Sequence, residues 1–427
     1  MQPGELSDET QRIGARPGEV NGRAISFVLV AATCFMAIWG ACRAWNLGDR
    51  LLADEPVVLG QVKLFLAGKL ELLGEFEYPA AAMLPGFQAV LTVVAAPLGS
   101  TSPSILRLYC FGLSLAYPLV VFAIARQLMS DDQALWRAAQ AYVLPIVFPF
   151  NTLLYTDLFS LTVNLAALWA CMRRSYVAAG LVMLLALCVR QTNVVFILFL
   201  CGFSYVEVNG AQITWRRIFS HVRRCWLLLG GIFAFIVFVV VHGRVGLDDP
   251  HHHPLSFGFG NLLFCVLTGG VVFLPLLVRH AADILRWAVK NRLETVVTTV
   301  LTAGIAFTYG ITHPWNLSAG YLRNYFMLYV LPSNLLRGVS ALFGSLTILS
   351  LLARGLSRPS ALMLYVYSFL SLAPVALIEP RYYFGPLLLY QLFRKVETPS
   401  VEFALWCWFA AWAVGLEHLV TATDIFL

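Results

Sequence analysis

The chain has 427 residues, 59% of them hydrophobic and only 12% charged, with a mean hydropathy of +0.76. A soluble domain carries about a quarter charged residues, so water is not this protein's main solvent. Its net charge of +6 comes from 29 Lys and Arg against 23 Asp and Glu, and the basic residues fall in short connections rather than in a stripe, which excludes a nucleic-acid-binding surface. The nine cysteines lie in or beside apolar segments with no Cys-x-x-Cys pair; they read as apolar packers, not as a disulfide framework or a zinc site.

Residues 1–24 are polar and contain Pro and Gly, and they read as a cytoplasmic tail. The apolar stretch 25–45 lacks the small-x-small end of a cleaved signal peptide and is expected to stay as an anchor. Apolar runs bounded by charge or Pro then predict spans near 104–126, 137–150, 155–172, 176–190, 193–207, 225–242, 256–278, 293–312, 334–353, 360–378, 382–393 and 401–420. The fold class expected is all-α, a polytopic transmembrane bundle of 11 to 13 spans forming one domain over 25–427. The runs 137–150 and 382–393 are short for a bilayer core of about 30 Å, so neighbouring segments can share a kinked or re-entrant path.

The longest connection, 45–103, is acidic, with Asp49, Asp54, Glu55, Glu71, Glu75 and Glu77 against Arg50, Lys63 and Lys69. Within it Val58, Val62, Phe65, Leu66 and Leu70 fall at helical spacing, and 84–98 forms a second apolar segment behind Pro85. Both predict amphipathic helices lying at the membrane interface. If 84–98 does not cross, nineteen of the 29 basic residues share one side, which the positive-inside rule assigns to the cytoplasm. The other ten are Arg43, Arg50, Lys63, Lys69, Arg107, Arg190, Arg244, Arg323, Arg337 and Arg381. Asp54, Glu55, the run Asp248-Asp249-Pro250-His251-His252-His253 and His313 share their face. No internal repeat and no appended soluble domain is visible.

An enzyme moving a sugar from a lipid phosphate needs a carboxylate to deprotonate the acceptor hydroxyl and cations to hold the departing phosphate. Asp54-Glu55, about nine residues beyond the first span, supplies carboxylates; the pair also fits a helix N-terminus stabilised by its dipole. Arg190, with Gln191, Thr192 and Asn193, interrupts an apolar stretch, and Arg381 sits between Glu379-Pro380 and Tyr382-Tyr383. Interfacial snorkelling and a local Glu379–Arg381 pair are the bland readings, but two such arginines on one face point to anion binding. Asp248, Asp249 and Glu379 are rivals for the base. Consecutive histidines in a loop point in different directions, so His251–His253 does not predict a metal site. Asn316-Leu317-Ser318 is a glycosylation sequon on the same face.

Taken together, these residues resemble the family of dolichyl-phosphate-glucose-dependent alpha-1,2-glucosyltransferases. The resemblance runs through Asp54-Glu55, Leu84-Pro85-Gly86, Phe148-Pro149 with Tyr155-Thr156, Arg190-Gln191-Thr192-Asn193, and Arg381-Tyr382-Tyr383-Phe384 with Pro386 and Tyr390, roughly residues 25–395. It implies a C-type glycosyltransferase fold in the endoplasmic reticulum membrane with its site at the lumenal surface. The implied reaction is inverting transfer of glucose from dolichyl-phosphate-glucose to the terminal glucose of a lipid-linked oligosaccharide. Asp54 is then the base with Glu55 second, Arg190 and Arg381 bind the donor phosphate, and Gln191, Asn193, Asp248, His252, His313, Arg323 and Tyr382 are possible substrate contacts. No nucleotide, metal or other cofactor is expected; the partners are the polyprenyl donor, the lipid-linked acceptor and membrane lipids. The stretch Asp248–Pro254 is compressed and richer in His than the family's, and Leu322-Arg323-Asn324-Tyr325 is a reduced form of a longer polar run. A related bacterial enzyme using a mannose or arabinose donor is the alternative, and a transporter is a further one, though it should show two halves and polar residues at midplane.

Overall fold

A computed structural model describes residues 17–68, 83–246, 256–311, 313–318, 320–423 and 425–427. Asp248, Asp249, His251, His252 and His253 lie outside these, as do Glu71, Glu75 and Glu77. The described chain is all helical apart from two isolated β-bridges. In order, α1 (Pro17–Asn46) leads to α2 (Glu55–Leu66) and α3 (Gly86–Leu98), then α4 (Pro103–Ser114) and α5 (Ala116–Ala125) form a nearly continuous rod. The hairpin α2–α3 closes on its own small core of Val58, Leu59, Val62, Phe87, Leu91 and Ala95, joined by Leu106 and Cys110 of α4. Of the face that helical spacing marks out, Val58 and Val62 enter this core; Phe65 is only half-buried, Leu66 is exposed and Leu70 lies outside the described residues.

After α6 (Asp131–Tyr142) the chain does not continue as the span expected over 137–150. Pro145 and Pro149 cannot donate ladder hydrogen bonds and disfavour helix in the residues before them, so the helix ends at Tyr142 and residues 143–155 are irregular apart from a 3-10 turn, Phe148–Asn151. Irregular backbone is tolerable at membrane depth only inside protein, and Phe148, Phe150, Asn151, Leu153 and Leu154 are all buried. From there run α7 (Thr156–Met172), α8 (Tyr176–Val189), α9 (Val194–Asn209), α10 (Trp215–Arg224) and α11 (Trp226–His242). The second half contains α12 (Gly260–Val272), α13 (Leu274–Arg279), α14 (Ala281–Lys290), α15 (Arg292–Thr308), α16 (Leu322–Val330), α17 (Asn334–Arg354), α18 (Met363–Leu372), α19 (Phe384–Phe393) and α20 (Pro399–Ala422).

Five stretches are long and apolar enough to cross a bilayer unaided: Ser26–Asn46, Pro103–Ala125, Gln191–Asn209, Asn334–Arg354 and Pro399–Ala422. The pair α10–α11, bent by 78°, makes a sixth. The protein is therefore a multi-pass membrane protein, but the expected 11 to 13 full spans become five or six long ones beside shorter apolar helices such as α7, α8 and α12. Prolines and charged breaks shorten the rest; α19, behind Pro380 and flanked by Arg394, has ten residues and nine of them are buried.

Side-chain bonds sort the helix ends into two groups. At one end Arg107 reaches Gly48 O at 3.0 Å, Arg50 reaches Thr421 O at 3.0 Å, and Arg337 reaches Ala306 O at 2.9 Å. At the other, Arg358 binds Gln127 O at 3.0 Å and pairs with Glu207, and Arg354 pairs with Glu397 at 2.7 Å. There too Arg137 and Arg394 enclose Glu402. The arginines of the first group come from the minority ten and those of the second from the majority nineteen.

Candidate active site

The site forms where α2, α7, α8, α16 and α19 begin or end. Asp54 stands at the N-cap position of α2 without a side-chain capping bond, and the residue before it, Ala53, has φ 44°, a left-handed conformation that a non-glycine residue adopts only when its surroundings impose it. The next residue, Glu55, is fully buried and completely engaged. It accepts from Arg107 Nε at 3.0 Å, from the Leu154 amide at 3.0 Å and from the Leu52 amide at 2.8 Å, with a further bond from Arg107 Nη2. Glu55 thus ties the first loop to α4 and to the entry of α7.

Asp54 is held differently. Its amide donates to the Tyr155 hydroxyl at 2.8 Å and one carboxylate oxygen accepts from Arg381 Nη1 at 2.7 Å, yet 42% of its side chain remains exposed. Arg381 stands on a 3-10 turn, Pro380–Tyr383, that enters α19. Its Nε lies 2.7 Å from Glu379 Oε1, close as an ion pair but not aligned as a hydrogen bond, and its Nη1 lies 4.0 Å from Asp157 Oδ2. Burial alone would lower the Arg381 pKa, but Glu379, then Asp54 and Asp157, outweigh it and hold the guanidinium well above its ordinary value.

Asp157, in the first turn of α7, is bound by Arg190 Nη1 through Oδ1. Arg190 occupies an extended break between α8 and the 3-10 turn Gln191–Asn193. Asn193 keeps that break in place: its amide donates to Ala186 O at 2.7 Å and its carbonyl accepts from Asn164 Nδ2 at 2.8 Å, with Ser160 bonded to both ends. A third guanidinium, Arg323, lies 4.0 Å from Glu379 Oε1 and 4.1 Å from the Tyr321 ring centroid. Three carboxylates and three guanidiniums therefore form one connected set, Asp54–Arg381–Asp157–Arg190 with Glu379 and Arg323 branching from Arg381. Asp157 and Glu379 side chains are 2% and 4% exposed, against 42% for Asp54, which makes Asp54 the accessible acid of the set. Tyr155 lies beneath it, its hydroxyl holding the Asp54 amide.

Of the residues singled out in the sequence, Asp54, Arg190, Arg323 and Arg381 meet here, and Tyr382 is half-buried immediately after Arg381. Gln191 is buried beside Arg190, whereas Asn193 is spent on holding helices together. His313 is buried and its ring accepts from the Trp315 amide at 3.3 Å. Asn316 cannot serve as a glycosylation sequon in this fold: fully buried, it donates to Ile378 O at 3.0 Å and accepts from the Ile378 amide at 3.2 Å. Sequence reasoning missed Asp157, Tyr155 as a support, and Arg107 as the partner of Glu55. The available signal for Asp157 was an acid at the mouth of an apolar helix, a costly position without a cationic partner.

The DIE2/ALG10 family model matches residues 79–217 and 207–392. Curated relatives named Dol-P-Glc:Glc(2)Man(9)GlcNAc(2)-PP-Dol alpha-1,2-glucosyltransferase include proteins from Arabidopsis thaliana, 24% identical over 81% of this chain and 84% of the relative, and from Drosophila melanogaster, 21% identical over 86% and 87%. The one from Debaryomyces hansenii is 21% identical over 68% of this chain and 69% of its own length. No solved structure matches the chain. Because the family model spans well over half of the sequence and takes in the Asp157, Arg190, Arg323 and Arg381 segments, the chain belongs to the DIE2/ALG10 family.

Proposed function

We propose that the protein transfers glucose from dolichyl-phosphate-glucose to a lipid-linked Glc(2)Man(9)GlcNAc(2) acceptor, forming an alpha-1,2 linkage at the lumenal face of the endoplasmic reticulum membrane. The relatives' names supply donor and acceptor. The observation that carries the chemistry is the accessible Asp54 carboxylate paired with Arg381, which Asp157 and Glu379 connect to Arg190 and Arg323.

Asp54 takes the proton from the acceptor's 2-hydroxyl as that oxygen attacks C1 of the donor glucose. The C1–O bond to phosphate breaks on the opposite face of the ring, and its electron pair leaves with dolichyl phosphate. One displacement with no covalent intermediate inverts the anomeric centre. Arg190 and Arg381 receive the phosphate, whose charge increases as the bond breaks, so their attraction is stronger in the transition state than in the ground state. Arg381 also links the two halves of the reaction. It pairs with Asp54 at 2.7 Å, and a donor phosphate competing for its N–H groups frees that carboxylate to act as a base. Arg323 and Tyr382 contact the acceptor side, and Glu55 acts as a support.

The test is incubation of purified full-length protein with synthetic dolichyl-phosphate-glucose or dolichyl-phosphate-mannose and lipid-linked acceptors, with products identified by mass and linkage. Glucose transfer in alpha-1,2 linkage is expected with the glucose donor alone. Transfer from the mannose donor instead, or no transfer from either, overturns the reading.

A further inference from the structure

The family match stops at residue 392, yet the chain beyond α20 returns to the site. Arg50 of the first loop donates to Thr421 O at 3.0 Å and Thr423 O at 3.3 Å, and Arg43 binds the Thr421 hydroxyl. Farther on, the Phe426 amide donates to Gly320 O and the Leu322 amide to Phe426 O, both at 2.7 Å, which pairs Tyr321 and Phe426 in a parallel bridge. The Leu427 carbonyl accepts from Arg323. Residues 421–423 and 425–427 thus strap the first loop to the segment that carries Arg323.

The buried Phe426 ring lies nearly parallel to Tyr155, with centroids 5.7 Å apart and planes 19° apart, and meets Phe150 edge-on at 5.8 Å. Tyr155 is the residue whose hydroxyl receives the Asp54 amide. An aromatic partner on a ring restricts its tilt, and a ring that cannot tilt fixes where its hydroxyl points.

We propose that Phe426 is a positioning residue for the transfer reaction: stacked on Tyr155, it fixes the hydroxyl that holds Asp54, and so sets the position of the base. The inference rests on the reading of Asp54 as that base. It acts on turnover more than on donor binding: Arg190 lies outside the strap, and Arg381, although its guanidinium stands 5.5 Å over the same Tyr155 ring, is held by Asp54 and Glu379.

The experiment is a double-mutant cycle on kcat in the full-length chain. Phe426→Ala should lower kcat by about 10- to 100-fold, the usual penalty for a misplaced catalytic group, and leave donor KM within about twofold. Phe426→Tyr should restore near-native turnover. In a Tyr155→Phe background, which has no hydroxyl to position, Phe426→Ala should cost at most about threefold more, because the two residues act through one contact. Phe426→Leu fills the space without a flat ring and serves in the same cycle if Phe426→Ala does not fold; a partial loss that vanishes in the Tyr155→Phe background is expected. Equal penalties in both backgrounds, or a rise in donor KM at unchanged kcat, overturn the proposal. Asp54→Asn run alongside separates the two possible failures. Full turnover by Asp54→Asn removes the base assignment and the proposal with it, whereas an inactive Asp54→Asn with an additive cycle removes the strap's role alone.

Discussion

Two neighbouring acids in the first loop have opposite fates because one is enclosed and the other is not. Glu55 is fully buried against Arg107, and removing one partner of such a pair leaves an uncompensated buried charge, a cost of about 3–5 kcal/mol. Glu55→Gln should therefore lower the yield of folded protein and its unfolding temperature, measured by scanning fluorimetry in detergent. Asp54→Asn keeps the size and the amide contact to Tyr155 while removing the proton acceptor. It should lower kcat by about 10² to 10⁴ with unchanged unfolding temperature. A well-folded, inactive Glu55→Gln beside a fully active Asp54→Asn would move the base one residue along. Arg381 offers a second contrast. Its planar fork faces Asp54, Asp157 and Glu379 at once, and a lysine ammonium cannot reproduce that geometry. Arg381→Lys should raise donor KM about 10- to 100-fold, the range for a lost charged hydrogen bond, in a donor titration at fixed acceptor. An unchanged donor KM would remove Arg381 from phosphate binding.

At the scale of elements, the break between α8 and α9 determines where Arg190 points. Asn193 bonds to the end of α8 and to Ser160 and Asn164 of α7, locking three segments together inside the membrane. Interhelical hydrogen bonds in membranes contribute about 0.6 kcal/mol on average, up to about 1.7. Asn193→Leu should thus lower the unfolding temperature modestly and weaken donor use, because Arg190 loses its fixed approach to Asp157. Native donor kinetics for that variant would show the break to be irrelevant to the site. The break was legible in the sequence, because four polar residues interrupt an apolar run; the purpose of Asn193 was not, since its partners lie about thirty residues away in the chain. Asp54 and Arg381, separated by 327 positions, each stand out as isolated charges, but only folding brings them together. The segment 137–150 shows the reverse problem. Its composition is that of a short span, and Pro145 and Pro149, which divide it into the end of α6 and a buried 3-10 turn, carry less weight in a hydropathy reading than the apolar residues around them.

On the scale of the whole molecule, charge separation predicts an orientation that the proposed function can be tested against. The arginines gathered at the site end belong to the sparse group, while the far end collects Arg126, Arg137, Arg354, Arg358 and Arg394. The far end also carries α10, where exposed Arg216, Arg223 and Arg224 alternate with exposed Trp215, Phe219 and Val222. A helix with those two faces, bent 78° from α11, suits the headgroup boundary, with its rings in the acyl region and its guanidiniums toward anionic headgroups. Such a surface belongs on the cytoplasmic leaflet, where Lys and Arg are retained during insertion. The proposed lumenal site requires the opposite end, with Asp49 exposed just before Asp54, to face the lumen. Single cysteines replacing Asp49 and Ser220 of α10, in a chain cleared of its nine native thiols, should report opposite sides of sealed microsomes. A membrane-impermeant maleimide is expected to label Ser220→Cys in intact vesicles and Asp49→Cys only after permeabilisation. Labelling of both in intact vesicles, or of Asp49→Cys alone, would place the site on the cytoplasmic side. The proposed reaction would then lose its compartment, because an acceptor already carrying Glc(2)Man(9)GlcNAc(2) would have to meet the enzyme on the other leaflet.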